Sequence, residues 1–328
     1  MMRLKSLLRR QALALLGSAP VIGARMSLVK SRGMLTVLNL HRVGDDRASA
    51  YEALSPRLFE EMLRWLVRHY TITTFKELQY ERSWRKPPMV LSFDDGYRDF
   101  IEVVAPILDK HGLGANQNII PACVDSGRPP VTVIFQDFIG AAPAGLLREI
   151  AFPGLDARVD PDHRIRDAMR VSAALKARPI EWQKAALLAL EPHMQRFSGF
   201  RPSAMMGVTE VRQVVASFEV GAHSFEHATM AAESEEYLQS DFERCTNWFG
   251  RVLGARPEIY AFPNGMATWR QCQAASHAGY PVVLLVGEQF SRPDNWCHHR
   301  FTFHAKSMAE ARFRAAGAFS IPRDQESA

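Results

Sequence analysis

The stretch Val90–Phe100, VLSFDDGYRDF, decides how the rest of this chain is read. Its apolar lead-in, Met89 to Leu91 with Phe93, has the length of a buried strand, and Gly96 closes it. Between them stand two neighbouring carboxylates, Asp94 and Asp95, with a helix expected to follow from Tyr97. Like charges at that range resist joint ionisation. A bound cation would remove that cost. The alternative is that one of the pair caps the following helix. Taken alone, the stretch leaves both readings open.

Outward from this point the chain alternates strand and helix. Met34–Leu40 reads as a buried strand running into His41. Ser55 and Pro56 open a helix whose stripe is Phe59, Met62, Leu63, Leu66 and Val67. A short strand over 71–74, a short helix over 75–82 and a helix from Phe100 to Gly112 surround the opening strand. The strand expected at Ala115–Ile120 carries Asn116, Gln117 and Asn118, polar groups that need partners if buried and so point to a polar cavity. From 126 to 203 the rhythm fails, and helices over 146–152, 168–177 and 182–197 suggest a mostly helical insertion, with Trp182 in its core. Strands then return at 218–222, 258–262, 281–286 and 299–303, with helices over 237–253 and 268–278. Alternation of this kind means a parallel sheet, open or closed into a barrel.

Composition bounds the function classes. The 328 residues are 47% hydrophobic and 23% charged, enough for a large core, with a net charge of +5. A sequence pI near 9.1 favours acidic partners without choosing among them, and no nucleic-acid-binding motif is present. The four cysteines lie far apart, which fits free thiols better than a zinc knuckle or a disulfide scaffold. In the basic segment 1–33, a helix over Met2–Leu16 would set Leu4, Leu7, Leu8, Ala12 and Leu15 opposite Lys5, Arg9 and Arg10. Such a helix would lie on a membrane surface through residues 1–20 or pack on the domain. As a signal peptide its apolar core is weak, so a location in the cytoplasm or at the inner membrane is expected over secretion.

The second informative stretch is VGAHSFEHATM, where His223 and His227 follow a strand four residues apart. Both imidazoles then meet one metal if the intervening residues turn helically. The carboxyl ends of parallel strands converge on one mouth. Asp, His and His there form a three-ligand set with open positions, as in catalytic metal sites.

FDDG followed by H-S-x-x-H resembles the polysaccharide deacetylases of the NodB-homology group, carbohydrate esterase family four, over residues 34–305 apart from the insertion. The resemblance implies an α/β fold, a distorted (β/α) barrel of about seven parallel strands, occupying 34–320 with an insertion at 126–203 and a tail at 321–328. It also implies a divalent metal, zinc above all with cobalt, nickel or iron as alternatives, on Asp95, His223 and His227. Asp94 would be the base. Ala261-Phe262-Pro263-Asn264-Gly265 resembles a third family motif, which makes Pro263 and the Asn264 backbone N–H candidates for the oxyanion site. The arginine usual in that motif falls at Ala261 and is missing. The branch acting on poly-β-1,6-N-acetylglucosamine is the most similar, because Asn39-Leu40-His41-Arg42-Val43 matches its early histidine motif except at Leu40. That similarity makes His41 the acid, with His299 and His304 as alternatives, and Arg300 the residue that orients Asp94. Asn118 and Gln117 are candidate substrate contacts. The implied reaction is hydrolysis of an N-acetyl group on an amino sugar of a polysaccharide or glycolipid. Its rivals are a deformylase or cyclic-amide hydrolase of the same fold, a glycosidase using the Asp pair, and a catalytically inactive sugar-binding module.

Overall fold

The structure is a computed structural model that describes residues 11–45, 49–80, 83–155 and 158–322. Eight parallel strands form the sheet: β1 (Thr36–Leu40), β2 (Thr71–Thr73), β3 (Pro88–Phe93), β4 (Asn116–Ile119), β5 (Glu219–Ala222), β6 (Ile259–Ala261), β7 (Val282–Val286) and β8 (Cys297–Thr302). Because β1 pairs with both β8 and β3, seven strands close into a ring, β1-β8-β7-β6-β5-β4-β3. β2 lies outside the ring. It pairs with residues 88–90 of β3, while β4 pairs with Ser92 and Phe93 further along the same strand. The expected barrel of about seven strands is the fold. Its thinnest seam is between β5 and β6, joined in register only at Ala222 and Tyr260.

Side chains alternate across each strand, so the ring has two buried faces. Leu38, Leu40, Leu91, Phe93, Tyr260 and Phe301 point outward into the large core under the helices. Inside, the barrel is layered. Its lower part is an apolar plug of Leu35, Val37, Val90, Ile259, Val282 and Leu284, closed from below by Phe75 and Leu78. The short helix Phe75–Leu78 is held there by a capping box from Thr74 and Glu77, and by the Glu219 carboxylate, which accepts from the Phe75 and Lys76 N–H groups. Above the plug the inward positions turn polar: Asn39, Ser92, Asn116, Asn118 and Arg300.

Several local expectations need correction. Neither Asp94 nor Asp95 caps a helix. The chain after Asp95 turns through left-handed backbone, bridges Tyr97 to Met205, and becomes helical only from Phe100. The insertion begins with an unforeseen helix, Val131–Ala141, followed by Ala144–Glu149, Arg164–Lys176 and Ile180–Gln195. It has its own core around Phe135, Phe138, Leu147, Val171, Leu175 and Leu190. Trp182 is not part of that core: it is 41% exposed, with the Arg178 guanidinium 5.6 Å from its ring centre. The segment Ala19–Ser31 is helical and buries Ile22, Met26 and Val29. Most of the amphipathic helix expected over Met2–Leu16 falls outside the described residues. Among those described, no helix is long and apolar enough to cross a membrane.

Gly221 on β5 marks how tightly the polar layer is packed. A Cβ there would stand 2.4 Å from Asn118 Oδ1 and 2.8 Å from Ile259 Cβ. Gly221→Ala should therefore lower unfolding free energy by about 1–3 kcal/mol, the usual cost of overpacking, as read by urea denaturation. An unchanged midpoint would contradict this packing.

Candidate active site

The carboxyl ends of the strands bring the sequence-predicted residues to one mouth of the barrel. Asp94 and Asp95 follow directly on β3, and His223 directly on β5. The loop after β5 then returns His227. Asp95 Oδ1 lies 3.5 Å from His223 Nε2 and 3.4 Å from His227 Nε2. His223 Nε2 is also 3.7 Å from Asp94 Oδ2. All four side chains are more than nine-tenths buried.

Backbone strain concentrates here. Asp95, Ser224, His227 and Asn264 all adopt left-handed φ, between 59° and 76°, although none is glycine. Such residues persist only where their surroundings hold them. For the histidine loop the holding group is Asp241, fully buried on the helix Glu235–Leu253. Its Oδ1 accepts from the Ser224 hydroxyl at 2.8 Å and the Phe225 N–H at 2.9 Å. Its Oδ2 accepts from the Tyr260 hydroxyl at 2.7 Å. Sequence reasoning missed Asp241. The available signal was a carboxylate on the buried stripe formed by Leu238, Phe242, Cys245 and Phe249.

The donor set fits a divalent cation. His223 Nδ1 is 2.8 Å from the Ala261 carbonyl. A carbonyl can only accept, so Nδ1 carries the proton and Nε2 turns a lone pair to the site. Asp95 Oδ1 is buried with no hydrogen-bond partner. The Asp95, His223 and His227 ligand atoms all lie within 4.8 Å of one another. A carboxylate and two ring nitrogens converging on one point suit a small cation with nitrogen and oxygen ligands. Burial pushes the His227 imidazole down to about 3, with Asp95 opposing and His223 and Lys176 assisting, so the ring is neutral and ligand-competent at neutral pH.

Asp94 is held differently. Its Oδ1 accepts from Arg300 Nη1 at 2.7 Å and Asn118 Nδ2 at 2.8 Å, and its Oδ2 from Asn39 Nδ2 at 2.6 Å. Burial alone would raise its carboxyl, but the charge and hydrogen bond of Arg300 lead the interactions that outweigh it and hold it well below the usual carboxylate range. Arg300 also donates to Ser92 Oγ at 3.1 Å. It comes from β8, whereas Ala261 stands on β6 in the apolar plug. Asn118 is fully buried, and its amide is spent on Asp94, Ser92 and Asn116. Gln117 is likewise buried and donates to the Asn118 carbonyl. Asn39 went unread, although a polar residue in the strand before His41 was its signal.

His41 follows Leu40, which is in register with Phe93, so it stands beside Asp94. Its ring meets Tyr51 edge-on at 5.7 Å. Burial lowers its pKa while Asp95 and Asp94 pull it back up. His299 and His304 make no contact with the Asp pair: His299 alternates to the face opposite Arg300, and His304 is 4.0 Å from Glu52. Pro263 is buried, and Asn264 is half-buried, its side chain donating to Thr229 Oγ1 at 2.8 Å. A cavity of about 750 Å³ has His304, Asp45, Glu52, Arg164 and Lys306 among its walls and is not lined by Asp94, Asp95, His223 or His227.

The sequence profile described as polysaccharide deacetylase matches residues 181–283. No curated protein sequence matches the chain. Among solved structures, the Streptococcus pyogenes deacetylase PplD in complex with acetate aligns with a TM-score of 0.56 at 14% identity, over 86% of this chain and 98% of that one. IcaB from Ammonifex degensii aligns at 0.54 and 16%, over 87% and 97%. BC0361, a polysaccharide deacetylase from Bacillus cereus, aligns at 0.54 and 13%, over 86% and 69%. At these identities the alignments speak for the fold.

Removing Arg300 would strand a buried charge. Arg300→Met should cost about 3–5 kcal/mol of unfolding free energy. Adding Asp94→Asn should recover part of it, a coupling that a double-mutant cycle in urea reads directly. Additive losses would show that the two groups do not form the pair described.

Proposed function

We propose that this chain, a member of the polysaccharide deacetylase family, hydrolyses the N-acetyl group of an amino sugar in a polysaccharide or glycolipid by a metal-dependent route and releases acetate. The observation that carries this reading is the division of labour between two adjacent carboxylates. Asp94 is locked by Arg300, Asn118 and Asn39, whereas Asp95 leaves an unpartnered oxygen between two imidazoles.

An amide resists hydrolysis at both ends: its carbonyl is a poor electrophile and its amine a poor leaving group. A divalent cation on Asp95, His223 and His227 would supply Lewis acidity toward the carbonyl and make a water more acidic. Asp94 is ionised, and three donors already occupy its oxygens. The remaining lone pair of Oδ2, on the side of His223, is the position from which it takes a proton from water. The Asn264 N–H, presented by a left-handed residue at the rim, would steady the oxyanion, a contribution on the order of 3 kcal/mol. His41, beside Asp94, would hand a proton to the departing amine. Both carboxylates raise its proton affinity against the cost of burial. A glycosidase would need one protonated carboxyl, and the charges around Asp94 keep it ionised.

Acetate release should be screened across chitooligosaccharides, β-1,6-linked N-acetylglucosamine oligomers, peptidoglycan fragments and lipid-linked amino sugars, with added zinc or cobalt. Asp94→Asn and His227→Ala should each lower turnover at least a thousandfold, and His227→Ala should also lose bound metal by elemental analysis. Chelation should abolish activity and zinc restore it. Formate in place of acetate would make the protein a deformylase. Wild-type turnover in either variant would overturn the assignment.

A further inference from the structure

The mouth of the barrel opposite Asp94 carries an opening of its own. A cavity of about 540 Å³ lies there, with Phe75, Leu78, Trp84, Trp296, Arg292 and His298 among its walls. The volume is that of a small-ligand site. Trp296 packs 5.0 Å from Trp269, centre to centre, and Trp269 is 53% exposed, so the aromatic surface extends from the cavity onto the outside of the protein. His298 is 2% exposed and its Nδ1 has no hydrogen-bond partner. Asp294 and Arg292, 3.8 Å apart, form part of the rim. The catalytic cluster uses none of these groups.

We propose that this lower mouth is a second carbohydrate site, which takes a pyranose unit of the same glycan that the upper mouth deacetylates; the proposal rests on the glycan reading given above. A pyranose is apolar on its C–H faces and polar around its edge. That pattern matches aromatic walls with a charged and amide rim. A sugar hydroxyl both donates and accepts, so it suits a rim that carries the Asp294 carboxylate and the Arg292 guanidinium. The plugged interior prevents a chain from threading the barrel, so one glycan reaches both mouths only around the outside, past strands about 20 Å long. A long polymer can then be held at two points, which raises its effective concentration at the catalytic mouth, while a short oligomer is held at one.

The test uses the full chain. In the Asp94→Asn protein, an N-acetylglucosamine tetramer, β-1,6- or β-1,4-linked, is titrated while the tryptophan indole N–H resonances are followed. The Trp84 and Trp296 signals should shift. Trp84→Ala and Trp296→Ala, introduced singly, should weaken binding by roughly fivefold or more. In the active protein the same substitutions should raise KM for long polymer by a similar factor, with kcat and the kinetics on a disaccharide unchanged. Trp84 and Trp296 signals that stay still at saturating tetramer overturn the proposal, whether or not the variants fold. Unchanged KM for polymer in folded variants does so as well. If no glycan releases acetate and tryptophan-dependent binding persists, the catalytic reading fails and this site stands.

Discussion

The buried contact between Asp94 and Arg300 is the constraint on which the rest of the barrel interior depends. It joins β3 to β8, strands separated in the ring by β1, and it places two charges where water is excluded. Desolvation of that kind is costly, and the attraction between the partners offsets it only when the remaining hydrogen-bonding capacity is also satisfied. The polar layer answers that requirement. Ser92, Asn116, Asn118 and Asn39 connect to the pair through bonds of 2.6–3.2 Å, from β1, β3 and β4. The layer therefore fixes the orientation of one carboxylate while leaving its neighbour, Asp95, to the histidines.

Much of this was legible in the sequence, for definable reasons. Buried strands in a parallel sheet are short apolar runs, and FDDG and H-S-x-x-H place chemistry at the ends of two of them. The pairing of Arg300 with Asp94 was legible only through the family resemblance, which implies an arginine on the last strand. What stayed hidden was relational. Asn118 announced a polar interior, yet sequence alone does not say whether such a residue faces a ligand or another side chain. Asp241 sits on the apolar stripe of its helix, where a charge makes sense only once the strained loop beside it is known. The helix Val131–Ala141 is buried on almost every side, so the amphipathic period that betrays a helix is absent from it.

The insertion is tied to the histidine loop and is not a separate appendage. Lys184 on its last helix is 2.6 Å from Glu226, between the two histidines, and the Ile180 N–H donates to Glu233 just beyond them. The preceding helix ends at Lys176, whose charge is felt by His227 and whose own pKa is lowered by burial, with Asp95 opposing. Tyr51 and Tyr97, 6.5 Å apart, stand over the opposite side. Burial, reinforced by Asp95 and other charges nearby, pushes both hydroxyls well above their ordinary range, so they remain donors at any physiological pH. The polar mouth of the barrel is thus walled by groups from the insertion and from the loop after β1.

The seam between β5 and β6 gives the two histidines unequal standing. With one residue pair in register there, the bond from His223 Nδ1 to the Ala261 carbonyl acts as an extra stitch between the strands. One imidazole therefore belongs to the wall of the ring and to the ligand cluster at once. Replacing His223 would loosen the cylinder as well as delete a donor, and the resulting defect would confound architecture with chemistry. His227 stands on the loop beyond the strand and carries no such stitch among the described residues. The two positions look equivalent as donors, but only His227 isolates the loss of a ligand from the loss of closure.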